Sequence, residues 1–581
     1  MKRNYAFGTM LILALLMAGL AACAAPATPT AAPTLPAPTT APTAVPAPTT
    51  APTSAPAPTA VPPTAVPTKA APPPTVAPSP TAPKKPVTLV YGFNAEPDLG
   101  LVPILGGNYA SYVVFDLIFN KMVVLDDSLK PTPDLAKSWQ VSADNLVWTF
   151  TLADNVKWHD GTPFTANDVK FTYEAVMDPK VNSAYAANLE EVKSIEVVNN
   201  TTLKVTLKKT FSPFLTQLAD INIMPKHLLE KVTDFKTAPF NRNPLGTGPF
   251  VFKEWQTGAF IKFAVNPNYF KGKPAIDEVV YKVVPDSDVL SLQLGTGEVD
   301  VVEGLSPTVA KRFETNANLK IVRYTSQRLR YLLLNNPNPL FQDKRTRQGI
   351  AHAIDRQGII NTVLNGLGEK CITDYPPSSW VYNPKAKSYD YDVNKAKALL
   401  GEAGWKPGAD GILVKDGKPF KFVILVRSGD KQLEQTGTVI RDNLKAVGIS
   451  VEITALETTA LRRDHMTKHN FDAILWGRTV FTDPDYSVNW STAAIDNAYN
   501  FVSYSNKALD ALFEKGRATL NPDERKAIYA QVQDILAEEQ PIIFLDWPSA
   551  LNGISAKFQG YSKENTSPPT FVWNLATWTV K

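Results

Sequence analysis

The sequence predicts an α/β body, built either as about three units or as one large two-lobed mass. First, 21 of the 49 prolines fall between Ala24 and Pro86, so the folded part begins near Val87 and runs for about 495 residues. That length suits roughly three units of ~150 residues, or one two-lobed body. Second, helix-like and strand-like stretches are mixed without strict alternation, the pattern of α/β or α+β lobes. Third, the chain is 44% hydrophobic and 20% charged with two cysteines, which excludes a polytopic membrane protein, a disulfide scaffold and a disordered chain. The net charge of +4 falls to about +2 without Lys2 and Arg3. So small a surplus displaces few counterions, and no nucleic-acid partner is expected.

Residues 1–22 read as an export leader. Lys2 and Arg3 precede an apolar run from Phe7 to Leu20. Counted to Ala22 the run is ~16 residues, short of the ~20 needed to cross a bilayer as a helix. Leu20-Ala21-Ala22-Cys23 resembles a bacterial lipobox. That resemblance implies cleavage before Cys23, acylation of its thiol and anchoring at the outer face of the cytoplasmic membrane. Cys371 is then the one thiol left in the exported body, an unpaired one expected near the cleft. Residues 23–86 form a Pro/Thr/Ala stalk. In extended polyproline geometry it would span roughly 190 Å, a tether that gives reach without recognition.

Within the body, residues 87–93 and 146–152 read as strands. Residues 193–208 read as a hairpin about Asn199-Asn200 with φ > 0, and residues 412–426 as a second hairpin turning at Asp416-Gly417. Asp343 caps a helix expected to run to about Leu364. Helices over 391–403 and 432–447 stop at Gly404 and Gly448, and a strand over 449–454 follows. Asn521-Pro522-Asp523-Glu524 opens a helix that Pro541 ends. His159-Asp160-Gly161 reads as a tight turn, not a catalytic site. Gly246-Thr247-Gly248-Pro249 lacks the Lys and Ser/Thr of a phosphate loop. Arg345 and Arg347 suit structural ion pairs. His465 and His469 stand at i and i+4 without a visible third ligand, so no metal is expected. No GxSxG, HExxH or Walker pattern occurs, and neither catalytic residue nor cofactor is expected.

Residues 135–176 (LAKSWQVSADNLVWTFTLADNVKWHDGTPFTANDVKFTYEAV) resemble the signature of the extracellular solute-binding proteins of family 5, which serve peptide, nickel and related ABC importers. Similar segments follow in order at 223–227, 243–270, 341–366, 396–405, 471–490 and 506–545. The resemblance implies a two-lobed, periplasmic-binding-protein-like clamshell of the class II type with an extra inserted domain. Lobe I would comprise 87–125, 226–327 and 546–581, the inserted domain 126–225, and lobe II 328–545. It also implies a monomer that encloses a small solute, an oligopeptide or an oligosaccharide (a nickel chelate being a lesser competitor), and passes it unchanged to a permease. A stalk-tethered hydrolase or adhesin is the alternative class.

Loops placed between the lobes supply the candidate ligand-binding residues. These are Asn94, Glu96, Tyr109, Tyr112, Trp380, Tyr382, Trp476, Arg478, Phe481, Asp483 and Trp490. Aromatic walls with a few polar anchors suit peptides and sugars alike. Peptide-binding members carry an amine-pairing Asp four residues before a Pro. Counting back from Pro484 reaches Val480, or Thr479 if a residue is inserted, and Asp483 or Asp485 could substitute only by another loop path.

Overall fold

In the computed structural model, residues 85–126, 129–480, 482–496, 499–562 and 570–581 are described. The leader, Cys23 and nearly all of the stalk lie outside them. No helix among the described residues is long and apolar enough to cross a membrane.

One twelve-stranded mixed sheet organises the body. Its strands are β1 (Thr88–Phe93), β2 (Phe250–Gln256), β3 (Phe260–Val265), β4 (Glu278–Val283), β5 (Val301–Val302) and β6 (Leu319–Thr325), then β7 (Arg328–Leu334), β8 (Lys421–Arg427), β9 (Ser450–Leu456), β10 (Ala473–Thr479) and β11 (Ile542–Ser555), with Gly368–Lys370 as a short twelfth. The order is β9-β8-β10-β7-β11-β5-β1-β4-β3-β2, and β6 and Gly368–Lys370 pair with β11. β11 joins the two halves. Its residues 542–546 pair with β7, and residues 549–555 pair with β6. Beside it the chain crosses between β6 and β7 at 326–327, where the Ser326 N–H donates to the Pro548 carbonyl at 2.9 Å. Two adjacent stretches of extended backbone thus link the two halves of the sheet.

β7 (RLRYLLL) is buried at every position after the first, as expected of a central strand covered on both faces. One face packs with Leu332, Leu334, Ile350 and Ile424, and the other with Leu329, Tyr331, Leu333 and Trp547. In the other half, an antiparallel four-stranded sheet spans Ala136–Val141, Val147–Leu152, Thr202–Leu207 and Val192–Asn199. Its Trp148, Phe150 and Leu203 enter the same core as Leu89 and Ile118.

The Asp416-Gly417 turn forms with both φ positive (51° and 74°), but its hairpin is short, Leu413–Lys415 against Lys418–Pro419. β8 leaves it to run parallel to β9 and β10, where its apolar run VILV is covered. Asn199 and Asn200 do not adopt positive φ. The Asn199 Oδ1 instead accepts from the Thr201 N–H at 2.9 Å, a side-chain turn that meets the same need. The helix begun at Asp343 ends at Ala353, and a second, Arg356–Val363, follows. Asp355 caps it by accepting from the Gly358 N–H at 2.8 Å, while the Arg356 guanidinium donates to the Ala351 carbonyl.

Gly161 takes φ 89° in its turn, and the preceding His159 staples the glycine-rich turn. Its Nδ1 accepts from the Gly246 N–H at 3.3 Å, so Nε2 carries the proton and donates to the Gly248 carbonyl at 3.0 Å. Both glycines lie against the end of the helix Tyr109–Ile118; a Cβ at Gly246 would sit 1.9 Å from the Ile118 carbonyl oxygen. Burial drives His159 from 6.5 down to about 4. With the folded value below the unfolded one, the unfolded chain takes up the extra proton. Stability from this site is therefore complete above about pH 6.5 and is lost as pH falls towards 4, at roughly 3 kcal/mol over the full window. Urea midpoints followed across that window should drop in the wild type. His159→Gln, which removes the titration, should flatten this component.

Candidate functional site

Alternate residues of β10 share one face of the strand, so Ile474, Trp476 and Arg478 stand opposite Leu333, Tyr331 and Leu329 of β7. Trp476 and Arg478 line a cavity of about 340 Å³ with Tyr331, Arg462, Trp490 and Tyr499. Three of the candidates named from sequence, Trp476, Arg478 and Trp490, thus converge. The wall carries two guanidinium groups and several aromatic rings but, among the described residues, no carboxylate.

Behind this wall lies Asp374, fully buried. Its Oδ2 accepts from Arg478 Nη2 at 3.0 Å and from the Trp490 indole N–H at 2.5 Å. Burial pushes the Asp374 carboxyl up, against the pull of Arg478 and of the indole. The fork is only partly used: among the described residues, Arg478 Nη1 and the Asn489 side-chain oxygen are buried without a hydrogen-bond partner. A guanidinium fixed on one edge and unpaired on the other keeps a donor for a planar anion.

The two carboxylates that could have served a ligand amine are occupied. Asp483 is gripped on both oxygens by Arg525 at 2.6 and 3.0 Å, and Asp485 by Arg517 at 2.8 Å. Val480 is buried, Thr479 borders the cavity, and Phe481 lies outside the described residues. Trp380 is half-buried with the Arg525 guanidinium 5.9 Å from its ring, and Tyr382 is half-buried with its hydroxyl pushed up by burial. Neither borders the cavity.

On the opposite side, Asn94 lines a second cavity of about 520 Å³, bounded by Phe93, Glu303 and Ser306 and by Leu364, Leu367 and Gln432. Glu96 is structural: one oxygen accepts from the Trp255 indole and from the Gly258 N–H, both at 3.1 Å, and pins the β2–β3 hairpin. Tyr109 donates its hydroxyl to Glu303 at 2.6 Å. Tyr112 packs edge-on against Phe115 with centroids 6.0 Å apart.

Cys371 is buried and free, its thiol donating to the Thr373 carbonyl at 2.7 Å. Arg345 pairs with Asp343 at 2.6 Å, while Arg347 donates to the Phe341, Gln342, Glu539 and Gln540 carbonyls. His465 and His469 are taken by backbone carbonyls, and no group of three potential metal ligands occurs among the described residues. Asp374 and Glu303 are lone charged residues outside any motif, and Arg462 stands in the charged run Arg462-Arg463-Asp464, so no sequence pattern singles them out.

Known proteins give this site its context. Residues 130–500 match the bacterial extracellular solute-binding proteins, family 5 (middle). The oligopeptide-binding protein AppA of Bacillus subtilis (strain 168) is 32% identical over 505 residues, 85% of this chain and 92% of that one. The structure of NikZ from Campylobacter jejuni in complex with Ni(L-His) is similar with a TM-score of 0.72 at 31% identity, covering 85% of this chain and 99% of that one. AppA from Bacillus subtilis in complex with a nonapeptide gives a TM-score of 0.71 at 32% identity, covering 86% of this chain and all of that one. These likenesses set aside the hydrolase alternative and give the fold as the two-lobed binding-protein clamshell. The chain belongs to the bacterial extracellular solute-binding proteins of family 5, and it is a binding protein, not an enzyme.

Proposed function

We propose that this protein captures a carboxylate-bearing, peptide-like solute between its lobes and delivers it to an ABC permease, tethered by an acylated Cys23 and the stalk of residues 23–86. The working division is lobe I (87–125, 226–327, 546–581), an inserted domain (126–225) and lobe II (328–545), with β11 and the 326–327 crossing as hinge. Closure shifts the population towards a form the permease reads, and no covalent step is involved.

The observation that carries this reading is the cavity in which Arg462 and Arg478 face aromatic rings with, among the described residues, no lining carboxylate. Such a wall attracts an anion and leaves room for apolar side chains. The relative that binds oligopeptides supports the peptide class. The relative seen with Ni(L-His) makes a metal chelate the second reading, because histidine carboxylates would meet the same arginines. A thermal-shift screen decides between them, using peptides with free or amidated carboxyl ends, cello- and xylo-oligosaccharides, and nickel–histidine. A rise in melting temperature with free-carboxyl peptides, lost on amidation, is expected. A response to oligosaccharides alone would overturn the proposal.

A further inference from the structure

A carboxylate at the end of β5 is held by two phenols. Glu303 is half-buried and lines the 520 Å³ cavity, with Leu364, Leu367 and Gln432 bounding the same space. Its two oxygens accept from Tyr91 and Tyr109 hydroxyls, each at 2.6 Å. Phenols are neutral, so these bonds orient the carboxylate without cancelling its charge. Several other buried carboxylates here have a cation: Asp300 has Lys557 at 2.8 Å, Asp483 has Arg525 at 2.6 Å, Asp546 has Arg330 at 2.7 Å; buried Asp168 is held instead by the Thr165 and Lys226 backbone N–H groups. Among the described residues Glu303 has none. Aromatic rings surround it, with Phe93 and Tyr109 centroids 5.5 Å apart and Tyr91 and Tyr281 5.4 Å apart, and Phe93 borders the same cavity. An oriented carboxylate beside aromatic faces is the composition that holds an ammonium ion.

We infer that Glu303 anchors a positively charged group of the solute, an ammonium, from the lobe I side. The inference rests on the solute-binding reading above, and it answers where an amine could pair once Asp483 and Asp485 are occupied by arginines. A zwitterionic guest would place its anionic end on the lobe II guanidinium groups and its amine on Glu303.

The titration of this group follows the same logic. The groups facing Glu303 are Tyr91 and Tyr281 from the sheet, Tyr109 and Asp116 from the helix Tyr109–Ile118, and the backbone of Phe571. Burial pushes the carboxyl up to about 7, with Asp116 adding to the rise and the two hydroxyls opposing it. An arriving ammonium favours the carboxylate, so the carboxyl proton leaves to solvent as the ion pair forms.

The test compares the full chain with Glu303→Gln by calorimetry, using short peptides with free amino termini and the same peptides acetylated. Each titration is repeated in two buffers of different ionisation enthalpy. The wild type should prefer free amines by about tenfold or more and release protons at neutral pH. The variant should lose both the preference and the release. The ratio of the two affinities does not depend on how much of the variant is folded. A wild type without preference, or a variant that keeps it, overturns the anchor while leaving the peptide reading intact. If neither peptide form binds, the peptide reading falls, and cadaverine becomes the probe. Weaker cadaverine binding in the variant supports the anchor, and equal or absent binding overturns it.

Discussion

Asp546→Ala is expected to destabilise the protein by about 3–5 kcal/mol. Asp546 and Arg330 are almost wholly buried and meet in a two-bond pair, Nε to Oδ1 at 2.7 Å and Nη2 to Oδ2 at 2.8 Å. The third guanidinium nitrogen reaches the Thr436 hydroxyl at 3.4 Å. The pair ties β7 to β11, just before β11 passes from one half of the sheet to the other. Removing the aspartate leaves a guanidinium sealed from water with a single hydroxyl for company. The loss therefore reflects an abandoned charge more than a missing attraction. The double change Arg330→Met with Asp546→Leu removes both charges and should recover most of the stability. Guanidinium melts of the three proteins check this, and a single variant within about 1 kcal/mol of wild type would contradict it.

Arg478→Ala is expected to weaken binding of free-carboxyl peptides on the order of a hundredfold, with little effect on amidated ones. Arg478→Lys should fall between, because an ammonium keeps the charge but cannot hold Asp374 with one edge and a planar anion with the other. The alanine variant also strips Asp374 of its cation, so a general loss of stability would blur the result. Adding Asp374→Asn removes that stranded charge. The double variant should regain melting temperature without regaining affinity. Recovery of both together would mean that Arg478 acts only by holding Asp374. Calorimetry beside thermal melts separates the two outcomes.

Local chemistry was readable in the sequence where short-range rules govern it. Asp343 and Asn521 cap the helices they were expected to cap, and Asp416-Gly417 makes its turn. The family motifs gave the clamshell. What resisted reading depended on distant partners. Asp483 and Asp485 looked available until Arg525 and Arg517 reached them from the helical segment beyond. Glu96 looked like a cleft residue, yet it spends its oxygen on a hairpin about 160 positions away. Glu303 has no motif around it; its meaning comes from Tyr91 and Tyr109, which only the fold brings near. The break after Ala353 was hidden because residues 344–363 keep a helical apolar pattern across the junction, and only the second cap at Asp355 marks it.

We expect the two lobes, joined through β11 and the 326–327 crossing, to close on a guest and release it unaltered. Small-angle X-ray scattering of the full chain, with and without a saturating short peptide bearing free termini, reads that closure. The radius of gyration should fall with the peptide bound, and the peptide should be recovered with the same mass after release. Saturated binding with superimposable scattering curves, or recovery of a chemically changed peptide, would contradict it.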